Sequence, residues 1–331
     1  MKTQIEKVFV ILPNYIGDVL MTTPAIRLIK KIIPTAKITA LVSLRAYSVI
    51  KDNPNIEKII IRKDKLNFFD RLKLVRDIKN LTFSKFDFAV LFRDTVFNRL
   101  LTFFIGAKKI IKIDNTIAKS YKEVCCSAIE NAFNCKADEK NYNMDICISK
   151  SDESVVKKFL SENDCGKFVT INPVSTRTSK MWNVANYPNL IDKVFLKYGF
   201  KTVIIGSEKD FGVCKTIYDA CQYKPIIASG KLSLTETAEL IKKSEIFISP
   251  DTGPLHISIA VNKKTVGLFG STNPEKYGPY PEYAKIIYRK LSCSPCYKNV
   301  CPLTENKNLC MDQITVNEVL NQIEKFIAGE K

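Results

Sequence analysis

The chain of 331 residues has one histidine, His256, and no apolar run long enough to cross a bilayer. Its longest apolar stretches, such as Val8 to Pro13 and Val203 to Ile205, fall far short of the ~20 residues a membrane-spanning helix needs, which excludes an integral helical membrane protein. The start, MKTQIEKVFVIL, is charged but runs into NYIGD and offers no small-residue cleavage site. Val8 to Leu12 therefore reads as a strand rather than the core of a signal peptide, and the chain is expected in the cytoplasm. An even set of cysteines is also missing: the 11 present are scattered and come with no export signal, so reduced thiols are expected in place of a disulfide framework. Short-period repeats and low-complexity tracts are absent. Acidic residues are the minority, 34 against 51 Lys and Arg, and the formal charge of +17 implies an anionic partner: nucleic acid, an anionic membrane face or a phosphorylated substrate. A Lys-rich solvated surface explains the same excess.

What is present is an alternation. KVFVILP precedes a helical pattern from about Asp18 to Lys31, KITALVS a helical stretch to Asp52, IEKIII a helix over Leu66 to Leu81, and FDFAVLF a helix over Asp94 to Ile105, before KKIIKI. Residues 114–150 are less regular and carry cysteines, and SDESVVKKFLSEN is helical. The pattern then restarts: KFVTINP and a helix near Tyr187 to Tyr198, KTVIIG and Asp210 to Cys221, PIIAS and Leu234 to Lys243, IFISP and a short helix after Gly253, then TVGLFG. This predicts an α/β protein of two doubly wound, Rossmann-like halves, residues 1–160 and 161–331, joined near 151–166. Its length suits two domains facing a cleft.

In such sheets ligands bind beyond the carboxyl ends of the strands, so the loops after ILP, INP, IIG and ISP carry the candidates. In PNYIGDVLMTTPA, Gly17 permits a tight turn and Asp18 stands at the start of a helix, as an N-cap or as a general base for a substrate hydroxyl. NPVSTRTSKMW sets Ser175, Thr176, Arg177, Thr178 and Lys180 past a strand end, a set suited to diphosphate oxygens or to a merely polar loop. Glu208 follows the next strand, where an acid can bind ribose hydroxyls. SPDTGPLH places Asp251, Thr252 and Gly253 at the amino end of a helix that opens near Pro254, where free N–H groups attract phosphate. An aspartic protease is excluded, because no second D-T-G or D-S-G exists to share a proton.

GDVLMTTPA, STRTSKMW, SPDTGPLH, GLFGSTNPEKYGPY and the tail CSPCYKNVCPL with CM, in this order and spacing, resemble the bacterial heptosyltransferases of glycosyltransferase family 9 over nearly the whole chain. The resemblance implies a GT-B fold, with the acceptor on the first half and ADP-heptose on the second. It implies an inverting transfer to Kdo-lipid A or a heptosylated inner-core acceptor of lipopolysaccharide, in the cytoplasm or peripherally on the cytoplasmic face of the inner membrane. Asp18 matches the catalytic base. Ser175, Thr176 and Lys180 match donor phosphate and sugar contacts, Glu208 the ribose contact, and Asp251, Thr252 and Gly253 the sugar and diphosphate site. His256, one turn beyond Gly253, falls in the donor half, so it is expected to support the Asp251 loop or touch the diphosphate rather than act as base. PVSTRTSK lacks an acidic pair that some members carry before the lysine, which leaves the finer donor contacts open.

Cys293, Cys296, Cys301 and Cys310 form a C-x2-C-x4-C-x8-C pattern. Zinc is one reading, but no histidine is near, and the expectation is buried reduced thiols or a redox-sensitive pair, with no metal and no cofactor. A nucleic-acid-binding knuckle is disfavoured, since the cluster holds only Tyr297, Lys298 and Lys307 as reader residues. The basic helix DRLKLVRDIKN is a contact for an anionic glycolipid or a solvated face. Neither the heptose position, nor the choice of ADP-heptose over another nucleotide sugar, nor the oligomeric state is fixed by these residues.

Overall fold

The computed structural model describes residues 7–64, 66–82, 85–114, 120–136, 142–278, 280–305 and 307–329, so the charged start at residues 1–6 lies outside it. The chain divides into two compact units, 1–147 and 148–331.

The first unit is built on five parallel strands, β1 (Lys7–Ile11), β2 (Lys37–Ser43), β3 (Lys58–Arg62), β4 (Phe88–Leu91) and β5 (Lys109–Lys112), in the order β3-β2-β1-β4-β5. Val8, Phe9, Val10 and Ile11 are fully buried, as expected of a parallel strand covered on both faces. Helix α1 (Ile16–Ile32) follows β1 and contains Pro24. Proline has no N–H to give to the carbonyl four residues back, and the Thr23 hydroxyl serves that Leu20 carbonyl instead at 2.7 Å. The same hydroxyl accepts from Asp145 N–H at 2.8 Å, which fastens the end of the unit to α1. Helices α2 (Phe68–Thr82) and α3 (Val96–Phe104) share one core with the sheet through Leu74, Ile78, Leu101 and Ile105. Helix α4 (Tyr121–Phe133) packs along α1.

The second unit opens with α5 (Lys150–Glu162) and holds six parallel strands, β6 (Phe168–Ile171), β7 (Lys201–Ile204), β8 (Ile226–Ile227), β9 (Phe247–Pro250), β10 (Thr265–Phe269) and β11 (Ala284–Tyr288). Their order is β11-β10-β9-β6-β7-β8. Helices α6 (Asn186–Tyr198), α7 (Phe211–Ala220), α8 (Leu234–Lys243) and α9 (Gly253–Ala260) alternate with the strands, and α10 (Leu309–Asp312) and α11 (Val316–Ala328) end the unit. Trp182 anchors the core, donating its indole N–H to Ile314 O at 2.7 Å and meeting Tyr187 edge-on at 5.0 Å.

Several expectations need correction. The boundary set at 160/161 falls after Cys147, because α5 packs on α8 and its Asp152 accepts from Thr235 Oγ1 at 2.9 Å. The helical stretch after β2 is a 3-10 segment, Leu44–Val49, and ends short of Asp52. The irregular 114–150 region contains α4, whose buried Cys125 and Cys126 act as small apolar residues. Helix α1 begins at Ile16 with Tyr15 as N-cap, so Asp18 is its third residue and not the cap. Gly17 lies inside that first turn rather than in a tight turn before it. Strand β11 and helix α11 were not foreseen.

Candidate active site

In the second sheet the chain runs one way from β6 through β7 to β8 and the other way from β9 through β10 to β11, so β6 and β9 flank the reversal point where a crevice opens in such sheets. The loops beyond these two strands carry a cluster of buried polar side chains. Asn172, buried just past β6, shares its amide N–H groups among Val174 O at 3.1 Å, Ser249 Oγ at 3.1 Å and Thr252 Oγ1 at 3.0 Å. One amide therefore fixes the loop after β6 to the loop after β9.

Past it, a 3-10 turn at Thr178–Lys180 aims Lys180 back at Asp251. The ammonium donates to Asp251 Oδ2 at 2.6 Å and to Asp251 O at 3.1 Å. Thr272, from the loop after β10, donates to the same Oδ2 at 2.8 Å. His256 Nε2 stands 3.6 Å from Oδ1, an electrostatic contact longer than a full hydrogen bond. Burial alone would push the Asp251 carboxyl up, but His256 and the Lys180 charge outweigh it and hold the group well below the usual carboxylate range. Tyr277 covers this group, 6.0 Å from the Lys180 ammonium and 5.9 Å from the His256 ring.

Thr252 caps α9 without a side-chain bond, its hydroxyl turned to Ser249 at 3.0 Å, so the amino end of α9 beside Asp251 keeps its positive dipole uncovered by a side-chain acceptor. An ammonium, hydroxyls and a helix amino end together suit a diphosphate, and a buried carboxylate beside them suits sugar hydroxyls.

A strap from Leu291 to Asn308 holds two of these loops. Ser179, itself buried, donates to Lys298 O at 2.5 Å and meets Ser271 Oγ at 3.2 Å, while Ser179 N–H reaches Asn299 O at 3.2 Å. Asn308 donates to Thr178 O at 3.0 Å, Tyr297 N–H to Ser271 O at 2.9 Å, and Ser294 to Gly270 O. A cavity of 430 Å³ beneath the strap is lined by Cys293, Cys296, Cys301 and Cys310, with Ser179 and Ser271 in its wall. A Cβ at Gly270 would lie 2.7 Å from Met311 Sδ and 2.8 Å from Cys310 Sγ, so a side chain there would push these sulfurs aside. Among the described residues, no group of three or more His, Cys, Asp or Glu side chains is placed to hold a metal ion.

The structure thus brings Lys180, Asp251, Thr252, Gly253 and His256 together. Ser175 is at the edge of this loop, its hydroxyl accepting from Arg177 N–H at 3.2 Å, and Thr176 is exposed. Glu208 is exposed on the loop after β7, against Gly230, where a Cβ would sit 2.9 Å from Glu208 Cα. Asn172, Thr272, Tyr277 and Ser179 were missed; only the strand-end position of INP and the motif GSTNPEKYGPY signalled the first three.

In the first unit the carboxyl edge of the sheet is cationic. Arg62, buried at the end of β3, donates to Asn14 Oδ1, and Ser43 Oγ donates to Asn14 O at 3.0 Å. Burial and the charge of Arg93 both lower the Arg62 pKa. Arg45 lies over the Tyr15 ring at 5.5 Å. Asp18, half-buried in the first turn of α1, lies within electrostatic range of Tyr121 and Cys125 of α4.

Known proteins share this architecture. A lipooligosaccharide heptosyltransferase 2 from Campylobacter jejuni is 26% identical over 97% of this chain and 99% of its own. The glycosyl transferase family 9 structure from Veillonella parvula superposes with a TM-score of 0.84 at 22% identity, covering 100% of this chain and 99% of that one. The E. coli ADP-heptose lps heptosyltransferase II does so with a TM-score of 0.80 at 18% identity, covering 98% and 99%. These likenesses establish the fold, two Rossmann-like domains of the GT-B class. The model of glycosyltransferase family 9 (heptosyltransferase) matches residues 74–307, and the chain belongs to that family of glycosyltransferases.

Proposed function

We propose that this protein is an inverting heptosyltransferase that moves heptose from ADP-heptose to the inner core of lipopolysaccharide, working in the cytoplasm or peripherally at the cytoplasmic face of the inner membrane. The names of its relatives support this donor and acceptor. The observation that carries the reading is the buried Lys180–Asp251 pair, 2.6 Å apart at the reversal point of the second sheet and beside the amino end of α9.

In this reading the acceptor hydroxyl attacks the anomeric carbon from the face opposite the diphosphate. The new C–O bond forms as the bond to phosphate breaks, the electron pair leaves with ADP, and Asp18 takes the hydroxyl proton. Lys180 and the N–H dipoles of α9 stabilise the departing charge, and because Asp251 already fixes the ammonium, little reorganisation is needed at that moment. Asp251 and Thr252 face the sugar, with Ser175, Thr176 and Gly253 along the diphosphate, Glu208 at the ribose and His256 supporting the Asp251 loop.

Thermal unfolding with ADP, UDP, GDP or CMP tests the donor assignment. A nucleotide at a hundredfold over its dissociation constant adds about 2.7 kcal/mol. ADP is expected to give the largest shift. A larger shift with another nucleotide reassigns the donor, and no shift with any of them sinks the reading.

A further inference from the structure

A surface helix normally buries one apolar stripe and turns its charges outward. Helix α3 does not. Leu101 and Thr102 face the core, yet Val96, Leu100, Phe103 and Phe104 on its other side stand 73%, 50%, 74% and 50% exposed. Residues 96, 100 and 103 are spaced by four and three, so they form one outward stripe. Helix α2 adds Phe68, Phe69 and Leu72, exposed by 68%, 78% and 54%. The two helices lie side by side: the Arg71 guanidinium of α2 sits over the Phe97 ring of α3 at 5.0 Å, and both pack on the same core cluster. A contiguous cluster of exposed aromatic and leucyl groups of this extent marks a surface that something else covers.

The charge around the patch says what does. Helix α2 carries Arg71, Lys73, Arg76 and Lys79 against Asp70 and Asp77. The acids at the amino ends of the two helices are already engaged, Asp70 by Lys63 at 3.0 Å and Asp94 by Arg99 at 2.6 Å. Exposed phenyl and leucyl groups between cations match the boundary of an anionic bilayer, where rings enter the acyl margin and long basic side chains reach the headgroups. A second copy of the chain fits worse, since two-fold pairing would set these cations against themselves.

We propose that the outward faces of α2 and α3 are the surface on which this protein lies against an anionic lipid bilayer. Both helices leave the carboxyl edge of the first sheet, the edge at which α1 and Asp18 also begin. Docking there brings that edge to the depth of lipid headgroups, which deepens the reading of a lipid-borne acceptor and rests on it.

Sedimentation with phosphatidylethanolamine vesicles containing phosphatidylglycerol, against phosphatidylcholine vesicles, tests the surface. The wild type is expected to bind the anionic vesicles. Phe69→Ser with Phe103→Ser is expected to weaken binding by at least about tenfold. Lys73→Ala with Arg76→Ala is expected to weaken it by roughly 30-fold, at the usual contribution of a surface cation. All four positions are exposed, and an unchanged melting temperature checks each fold. No vesicle binding by the wild type, or binding by both variants as tight as that of the wild type, overturns the proposal. So does a dimer in light scattering that the phenylalanine variant dissociates. Vesicle binding without any nucleotide shift would instead fault the donor reading alone.

Discussion

The two sheets present opposite kinds of surface at their carboxyl edges. In the second, Asp251 is buried and held by Lys180, Thr272 and His256, and every loop around it is cross-tied. In the first, Arg45 and Tyr15 stack in the open, Asp18 is half-buried, and exposed phenylalanines line the neighbouring helices. A small, highly charged ligand is bound well by a preorganised and desolvated group, whereas a large lipid-linked one needs an open, cationic and partly apolar shore. On the proposed function the comparison amounts to a division of labour, rigidity where the nucleotide is assigned and accessibility where the acceptor is.

Substitutions break the comparison in order of size. Asp18→Asn keeps shape and removes basicity, so turnover should fall by on the order of 100-fold to 10,000-fold while ADP affinity by calorimetry stays unchanged. An effect on ADP affinity of similar size would erase the separation of roles.

Lys180→Ala should lower turnover by about 100-fold to 1,000-fold and weaken ADP binding. It should also destabilise the fold by about 3–5 kcal/mol, since it leaves the Asp251 carboxylate buried without its main cation. The sign with pH follows from the carboxyl's depressed pKa in the wild type. Its ionised form contributes stability that is present above the ordinary carboxylate value of about 3.9 and is lost as pH falls below it. In the variant the lowering by Lys180 is lost while that by His256 stays, so the carboxyl's pKa lies above its wild-type position and acid protonates it first. Urea unfolding should therefore show the gap between the two proteins narrowing as pH falls from about 7 into the acid range.

Ser179→Ala touches no ligand but removes the hydroxyl tie to Lys298 and Ser271, so donor affinity should weaken by roughly 5-fold to 30-fold with acceptor KM unchanged. Equal changes in both constants would mean general loosening. His256→Gln should cost no more than about tenfold in turnover and keep the acidic limb of the rate profile. Loss of that limb, with Asp18→Asn still active, would reverse their roles.

The fold was largely legible because parallel strands buried on both faces leave continuous apolar runs such as FVTI and TVGLF. Lys180, Asp251 and His256 were legible because they stand in or just past loops at the carboxyl ends of parallel strands, where such sheets bind ligands. The domain boundary was not, since the amphipathic pattern of α5 tells that it packs but not on which core. Helix α4 was hidden by cysteines standing in for aliphatic residues. Thr272 and Asn172 act through partners 21 to 80 residues away, and no local pattern encodes such a meeting. Asp18 was read at the start of the right helix, as its cap or as a base, and it is the third helical residue.

With the donor seated as proposed, the strap over the cysteine cavity links the thiols thermodynamically to the nucleotide. Whatever free energy ADP gains by stiffening the Lys180 and Thr272 loops must be spent again by any reagent that prises the strap open from beneath, and the coupling is the same in both directions. Cys310, pushed up to about 11 by burial and by the other three cysteines, is a quiet thiol at neutral pH, so labelling reports the more accessible Cys293, Cys296 and Cys301. Maleimide uptake at Cys296 and Cys301 should slow when ADP is present. Two side chains outside the reaction would then serve as a built-in gauge of donor occupancy, readable by mass without any acceptor in the tube.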